Sequence, residues 1–187
     1  STQEDSLVYV TAELQYIMGN YEQAAAGLTT YITSFCPQGR YCITALYYAA
    51  NCFYQLRQYD SAIEQYSTLA DIEGNPHMEE ACMRVAELTY DKAEYRTSHY
   101  YFQRMLNFAS SSANRTTALL GMLRCGQYTD NLTNVVDVAT QLLNQDDISE
   151  AIRQEALYYR AKAHLNKQQY GLAVVDLTPL SKEVRTS

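Results

Sequence analysis

Five triads with a common four-then-three spacing run along the chain: Tyr9-Glu13-Tyr16, Tyr47-Asn51-Tyr54, Met83-Glu87-Tyr90, Ala118-Met122-Cys125 and Tyr158-Lys162-Leu165. That spacing puts three side chains on one face of an α-helix. The chemistry they offer is recognition. Tyrosine presents a flat apolar ring and a hydroxyl with few rotamers to lose, so aromatic residues around a polar centre suit capture of a peptide or protein segment. The candidate contact residues are Tyr9, Glu13, Tyr16, Tyr47, Asn51, Tyr54, Glu87, Tyr90, Tyr158 and Lys162. A competing reading has the tyrosines filling space between successive helices, and spacing alone does not separate the two. If a segment binds, Glu13, Glu80, Glu87 and Asp91 favour one with basic as well as aromatic residues, although the same acids also suit a solvated helix face.

Catalytic signatures are absent from the sequence. It contains no Gly-rich phosphate loop, no Gly-x-Ser-x-Gly elbow and no His-Glu-x-x-His. The adjacent acids Glu79-Glu80 and Asp146-Asp147 are expected at helix starts, where carboxylates complement the positive end of the helix dipole. The expectation is a non-enzymatic protein without a cofactor, with a cryptic hydrolase or transferase as the remote alternative. His77, His99 and His164 stand singly and no CxxC occurs, which argues against zinc. Five cysteines cannot all pair within one chain. Cys52, Cys82 and Cys125 lie among apolar neighbours and read as buried thiols. Cys36 and Cys42 bracket the loop Pro37-Gln-Gly39-Arg40, and their separation allows either a bridge in an oxidising compartment or two loop thiols.

These triads need helices to hold them. Only three prolines and seven glycines interrupt the 187 residues, and 47 % hydrophobic against 19 % charged residues excludes a disordered chain. Tyr21-Glu-Gln-Ala24, Tyr59-Asp-Ser-Ala62, Tyr95-Arg-Thr-Ser98 and Tyr170-Gly-Leu-Ala173 recur near the roughly 34-residue period of a helix-turn-helix unit. In the second unit Leu46, Ala49, Ala50 and Phe53 make one packing face, Arg57-Gln58 the turn, and Asn75-Pro76 the stop. The third unit repeats this with Cys82, Val85, Ala86 and Thr89; the first places Val8, Ala12 and Leu14 on its leading helix and Gly19-Asn20 in its turn. Leu157, Ala161 and Ala163 lead the fifth, whose second helix Pro179 interrupts late. In the fourth, Ala118 to Tyr128 and Leu132 to Leu143 look helical, but Thr129-Asp130-Asn131 replaces the tyrosine turn. Asn114-Arg-Thr116 and Asn131-Leu-Thr133 have the glycosylation pattern by form only.

Ala50, Tyr59, Ala62, Tyr66 and Pro76 meet the pattern of the tetratricopeptide repeat (TPR) family best, and the resemblance extends over nearly the whole chain. Departures are the lack of tryptophan, the missing turn glycine in units two, three and five, and the eroded fourth unit. The resemblance implies an all-α, right-handed superhelix of about five repeats (about 5–37, 41–76, 77–109, 113–145 and 148–181), with leading helices lining a concave groove. Some TPR modules clamp a terminal carboxylate with Lys, Arg and Asn on that face; the central residues Glu13, Asn51, Glu87, Met122 and Lys162 do not suit such a clamp. The implied function is a protein-interaction scaffold, the alternative a structural spacer or oligomerisation array with an empty groove.

A net charge of −7 without a Lys/Arg run argues against nucleic-acid binding. No apolar run approaches the roughly 18 to 20 residues that span a membrane, so a soluble segment is expected. The acidic, tyrosine-rich repeats also resemble those of bacterial cell-envelope and Tol-associated proteins, which tilts the expectation towards periplasm or envelope over cytoplasm. Leu172, Val175, Leu180 and Val184 on the last predicted helix suggest a fragment of a longer array, with neighbouring repeats or self-association as further contacts.

Overall fold

The structure, a computed structural model, describes residues 2–129 and 132–183. Among the described residues ten α-helices follow in pairs along the sequence: α1 (Thr2–Ile17) with α2 (Tyr21–Phe35), α3 (Cys42–Gln55) with α4 (Tyr59–Ala70), α5 (Met78–Asp91) with α6 (Tyr95–Phe108), α7 (Ser112–Gly126) with α8 (Leu132–Leu143), and α9 (Glu150–Asn166) with α10 (Tyr170–Glu183). Among the described residues there is no strand, and no helix is long and apolar enough to cross a membrane. The chain divides into two compact units, Ser1–Leu88 and Thr89–Ser187.

In the first unit α1 packs on α2, α2 on α3 and α3 on α4. Small residues set the closeness of these contacts. Ala12, Ala24, Ala45, Ala49 and Ala50 are buried, and a Cβ on Gly27 would lie 2.8 Å from that of Ala12. Between the closely spaced backbones Leu28, Tyr31, Tyr66 and Leu69 fill the core, each worth roughly 1.5 to 3 kcal/mol of apolar burial. Asn75 ends this stretch. Its amide donates to the carbonyls of Leu69 and Ile72 while its side-chain oxygen accepts from the His77 amide, closing the end of α4 and opening the way to α5. In the second unit α6 packs on α7, α7 on α8, α8 on α9 and α9 on α10, around Phe102, Met105, Leu119, Leu123, Val138 and Leu142. Arg160 on α9 donates two hydrogen bonds to the buried Asp176 on α10, at 2.9 and 2.7 Å, and a third to Thr140 on α8, tying three helices at one point.

Four of the tight turns inside pairs use one residue of left-handed backbone. Gly19 (φ 77°) suits it; Arg57 (φ 58°), Ala93 (φ 61°) and Gln168 (φ 59°) adopt it at the three places where the glycine is missing. The missing glycines therefore change the energy of the turn and leave its geometry intact.

Of the leading-helix residues, Ala12 is buried and Leu14 exposed. Two expectations are corrected. Asp146-Asp147 lie in the connection before α9, whose cap is Ser149 accepting from the Ile152 amide. Pro179 does not interrupt its helix, because α10 continues through it to Glu183. Asp130, Asn131 and Val184, named in the sequence reading, lie outside the described residues.

Candidate functional site

The first unit joins its leading helices through a polar strip. On α3, Asn51 donates to the Tyr16 hydroxyl of α1 at 3.3 Å, and its side-chain oxygen accepts from the Tyr66 hydroxyl of α4. One turn earlier, the Tyr47 hydroxyl donates to Glu80 at 2.8 Å across to α5. The Tyr47 ring lies flat on His77 with centroids 3.8 Å apart, and the Arg84 guanidinium sits 4.7 Å over the Tyr54 ring while bonding Glu87 at 3.4 Å. Tyr16, Tyr47, Asn51, Tyr54, Glu80, Arg84 and Glu87 are all partly accessible. Burial, then the bond to Glu80, raises the Tyr47 phenol above its ordinary range; burial raises that of Tyr66. Both hydroxyls are thus held as neutral donors.

Tyr9 departs from the binding assignment. It is buried, stacked on Tyr41 at 4.3 Å and edge-on to Tyr31 at 5.6 Å, with its hydroxyl donating to Glu13 at 2.8 Å. The Tyr41 ring, supplied by the connection before α3, covers the face that a ligand would need. Spacing within one helix carries no sign of a cover brought by another. Glu13 remains partly accessible beside it.

A recurrent contact accounts for other tyrosines of the triads. Tyr16, Tyr54 and Tyr90 each stand edge-on to the tyrosine that opens the following helix, Tyr21, Tyr59 and Tyr95, at 6.0, 5.9 and 5.3 Å. Space-filling and accessibility coexist here: one ring edge is used, while the remaining surface is partly open. In the second unit Tyr95 stacks on Tyr128 at 4.0 Å, Arg124 makes a two-pronged pair with Glu155 at 2.7 and 2.9 Å, and Tyr158 and Lys162 are exposed on α9. Ala118, Met122 and Cys125 are buried, so the fourth triad faces the core.

His77 and Arg84 were missed from the sequence. Their signal was present: His77, Glu80, Arg84 and Glu87 follow the three-four-three spacing of one helical face, and three of the four lie within α5. At the other side of the unit, Cys36 and Cys42 are joined, with Cα atoms 5.6 Å apart. Inside that loop Gly39 approaches the Tyr31 hydroxyl so closely that a Cβ there would stand 2.6 Å from it, and the Tyr31 hydroxyl accepts from the Tyr41 amide at 3.0 Å. The bridge therefore borders the Tyr9–Tyr41 stack. Among the described residues no cluster of His, Cys, Asp or Glu is arranged to hold a metal.

No protein-family model matches the sequence, and no curated protein matches it. Solved structures do share its architecture. YrrB, described as a TPR protein with an unusual peptide-binding site, superposes with a TM-score of 0.62 at 17 % identity, over 91 % of this chain and 81 % of that one. MamA 41-end from Desulfovibrio magneticus RS-1 gives 0.58 at 12 % identity, over 98 % and 96 %. A Podosopora anserina protein of nearly identical TPR-like repeats gives 0.54 at 10 % identity, over 100 % and 99 %. With five helix pairs, a tyrosine opening four of the second helices and small residues at the contacts, the chain has the tetratricopeptide-repeat fold.

Proposed function

We propose that this chain is a non-enzymatic interaction scaffold whose first unit captures a peptide or protein segment on the face shared by α1, α3 and α5. The observation that carries the reading is the strip from Tyr16 through Asn51 to Tyr66, flanked by Tyr47–Glu80 and Arg84–Glu87, which keeps polar and aromatic groups side by side in fixed, partly accessible positions. Fixed donors and flat rings lose little entropy when a segment docks. Glu13 and Glu80 accept from tyrosine hydroxyls, and Glu87 is bonded by Arg84, so acids predominate over bases along the strip and favour a partner with basic as well as aromatic residues. YrrB, similar in fold, has a peptide-binding site. Tyr90, Tyr158 and Lys162 belong to the second unit and would add contacts there.

The bridge between Cys36 and Cys42 favours an oxidising compartment such as the bacterial periplasm or cell envelope. A second reading, a spacer with an empty face, draws on the Tyr16–Tyr48 stack at 4.3 Å and the Arg84–Tyr54 contact, which spend ring faces on neighbouring helices. Titrating short basic-aromatic, acidic-aromatic and neutral peptides against the parent protein separates the two. Binding of the basic-aromatic set, weakened by at least about 1 kcal/mol in Tyr47→Ala and Glu80→Gln and weakened by salt, supports capture. Equal affinity of both variants and parent for every peptide refutes it.

A further inference from the structure

The tyrosine that opens α2, α4 and α6 sets one register for the three helices. Three places after it stand Ala24, Ala62 and Ser98, and seven places after it Leu28, Tyr66 and Phe102, all buried. The first and fifth places are exposed in all three helices, and the ninth is exposed or partly so. Accessibility at these places belongs to the repeat. On α2 they carry Glu22, Ala26 and Thr30, and on α4 Asp60, Glu64 and Thr68; each threonine hydroxyl donates to the carbonyl of the fifth place.

α6 departs from this plan at all three places, with Arg96, Tyr100 and Arg104. An arginine stands where the other helices have an acid. The Arg104 guanidinium, in place of a threonine, lies 5.6 Å from the centre of the Tyr100 ring and 5.7 Å from that of Tyr101. Tyr100 is 53 % exposed, and Phe108, four residues beyond Arg104, 50 %. At a spacing of four, Arg96, Tyr100, Arg104 and Phe108 form one stripe about 18 Å long. The helix itself does not require these residue types, since α2 and α4 fold without them. The charge is local too: from Tyr95 to Thr129 the sequence has four arginines and no acid, in a chain of net charge −7.

We infer that the outer face of α6 is a docking surface for an acidic segment of a partner protein, one that sets an aromatic or apolar residue between its carboxylates. Arg96 and Arg104 take the carboxylates, for which the planar guanidinium is a two-pronged match. Tyr100 and Phe108 take the residue between them. Tyrosine and arginine are the types in which interface energy concentrates. A long polyanion is disfavoured, because beyond the stripe it would run onto a chain of net charge −7. The stripe is opposite in charge to the Tyr47–Glu80 strip and uses none of its residues, so the two surfaces stand or fall separately.

The test gives α6 the outer residues of α2. Arg96→Glu with Arg104→Thr, and separately Tyr100→Ala, copy Glu22, Thr30 and Ala26, so each substitution has a precedent at its place, and circular dichroism melting verifies the fold. The probes are a short labelled peptide with glutamates on either side of a phenylalanine, an oligothymidylate, and vesicles containing phosphatidylserine. The parent is expected to bind the glutamate peptide, more weakly as salt rises, and both variants to bind it at least about tenfold more weakly. Tyr47→Ala is expected to bind it like the parent. No binding by the parent, α6 variants that bind like the parent, an equal loss in Tyr47→Ala, or tighter binding of the oligonucleotide or the vesicles than of the peptide overturns the proposal.

Discussion

Replacing Cys36 and Cys42 together by serine is expected to destabilise the first unit by about 2 kcal/mol. The two residues are six apart in sequence, and the chain-entropy relation for a loop of that size gives about 7 cal/mol/K, or about 2 kcal/mol near room temperature. Two contacts remain when the bond is gone. The Tyr31 hydroxyl still accepts from the Tyr41 amide, and Tyr41 still stacks on Tyr9, so the loop keeps its place and the loss stays near the entropic value. Urea unfolding followed by tyrosine fluorescence reads the effect in the oxidised parent, the reduced parent and the double variant. With a denaturant slope of roughly 1 to 3 kcal/mol/M, the last two should coincide about 1 M below the first. Alkylation after unfolding supplies an independent count: three thiols, Cys52, Cys82 and Cys125, before reduction, and all five after it. Five reactive thiols without reductant, or three unfolding curves with one midpoint, would refute the reasoning.

Ala50→Leu and Ala86→Leu place extra methylenes at fully buried helix contacts and should each lower stability by roughly 1 to 3 kcal/mol, read as a shifted denaturant midpoint. Ala93→Gly, at φ 61°, should raise stability by up to about 1 kcal/mol, read as a higher midpoint, because glycine relieves the left-handed strain while giving back part of the gain as unfolded-chain entropy. Alkaline pH should unfold the protein through its tyrosines. Burial, then the hydrogen bond donated to Asp5, pushes the Tyr31 phenol up to about 12, and burial followed by Glu13 raises Tyr9. The fold favours their protonated forms over an unfolded phenol near about 10, so this stabilisation is complete below pH about 10 and is lost as pH climbs towards 12. Phenolate absorbance rising in step with loss of helical dichroism would show it; full phenolate titration with helicity intact would count against it.

The helix pairs were legible because small and apolar residues recur at helical spacing and punctuation falls between them, as with Ala49, Ala50 and Asn75-Pro76. The left-handed turns at Arg57, Ala93 and Gln168 were hidden, since nothing in those residue types announces a positive φ. The candidate site was only partly legible. Tyr9 and Tyr47 hold the same triad position, yet one is sealed by Tyr41 and the other reaches Glu80, a difference set by what neighbouring segments bring. Asp146-Asp147 misled for a related reason: a pair of acids looks like a helix start, but Ser149 with its free hydroxyl oxygen nearer the first turn takes the cap.

The stacking slot filled by Tyr48 over Tyr16 is filled by Arg84 over Tyr54 one repeat later. Two joints with the same backbone plan therefore have different keys. A ring-on-ring joint works in any ionic medium, whereas the guanidinium also answers to Glu87 and brings a charge with it. Exchanging the second and third helix pairs, or inserting a duplicate between them, would leave every helix with suitable neighbours in shape and still set a cation where a neutral ring belongs. The order of the repeats is thus written into their joints, and this array is a sentence with syntax as well as a string of similar words.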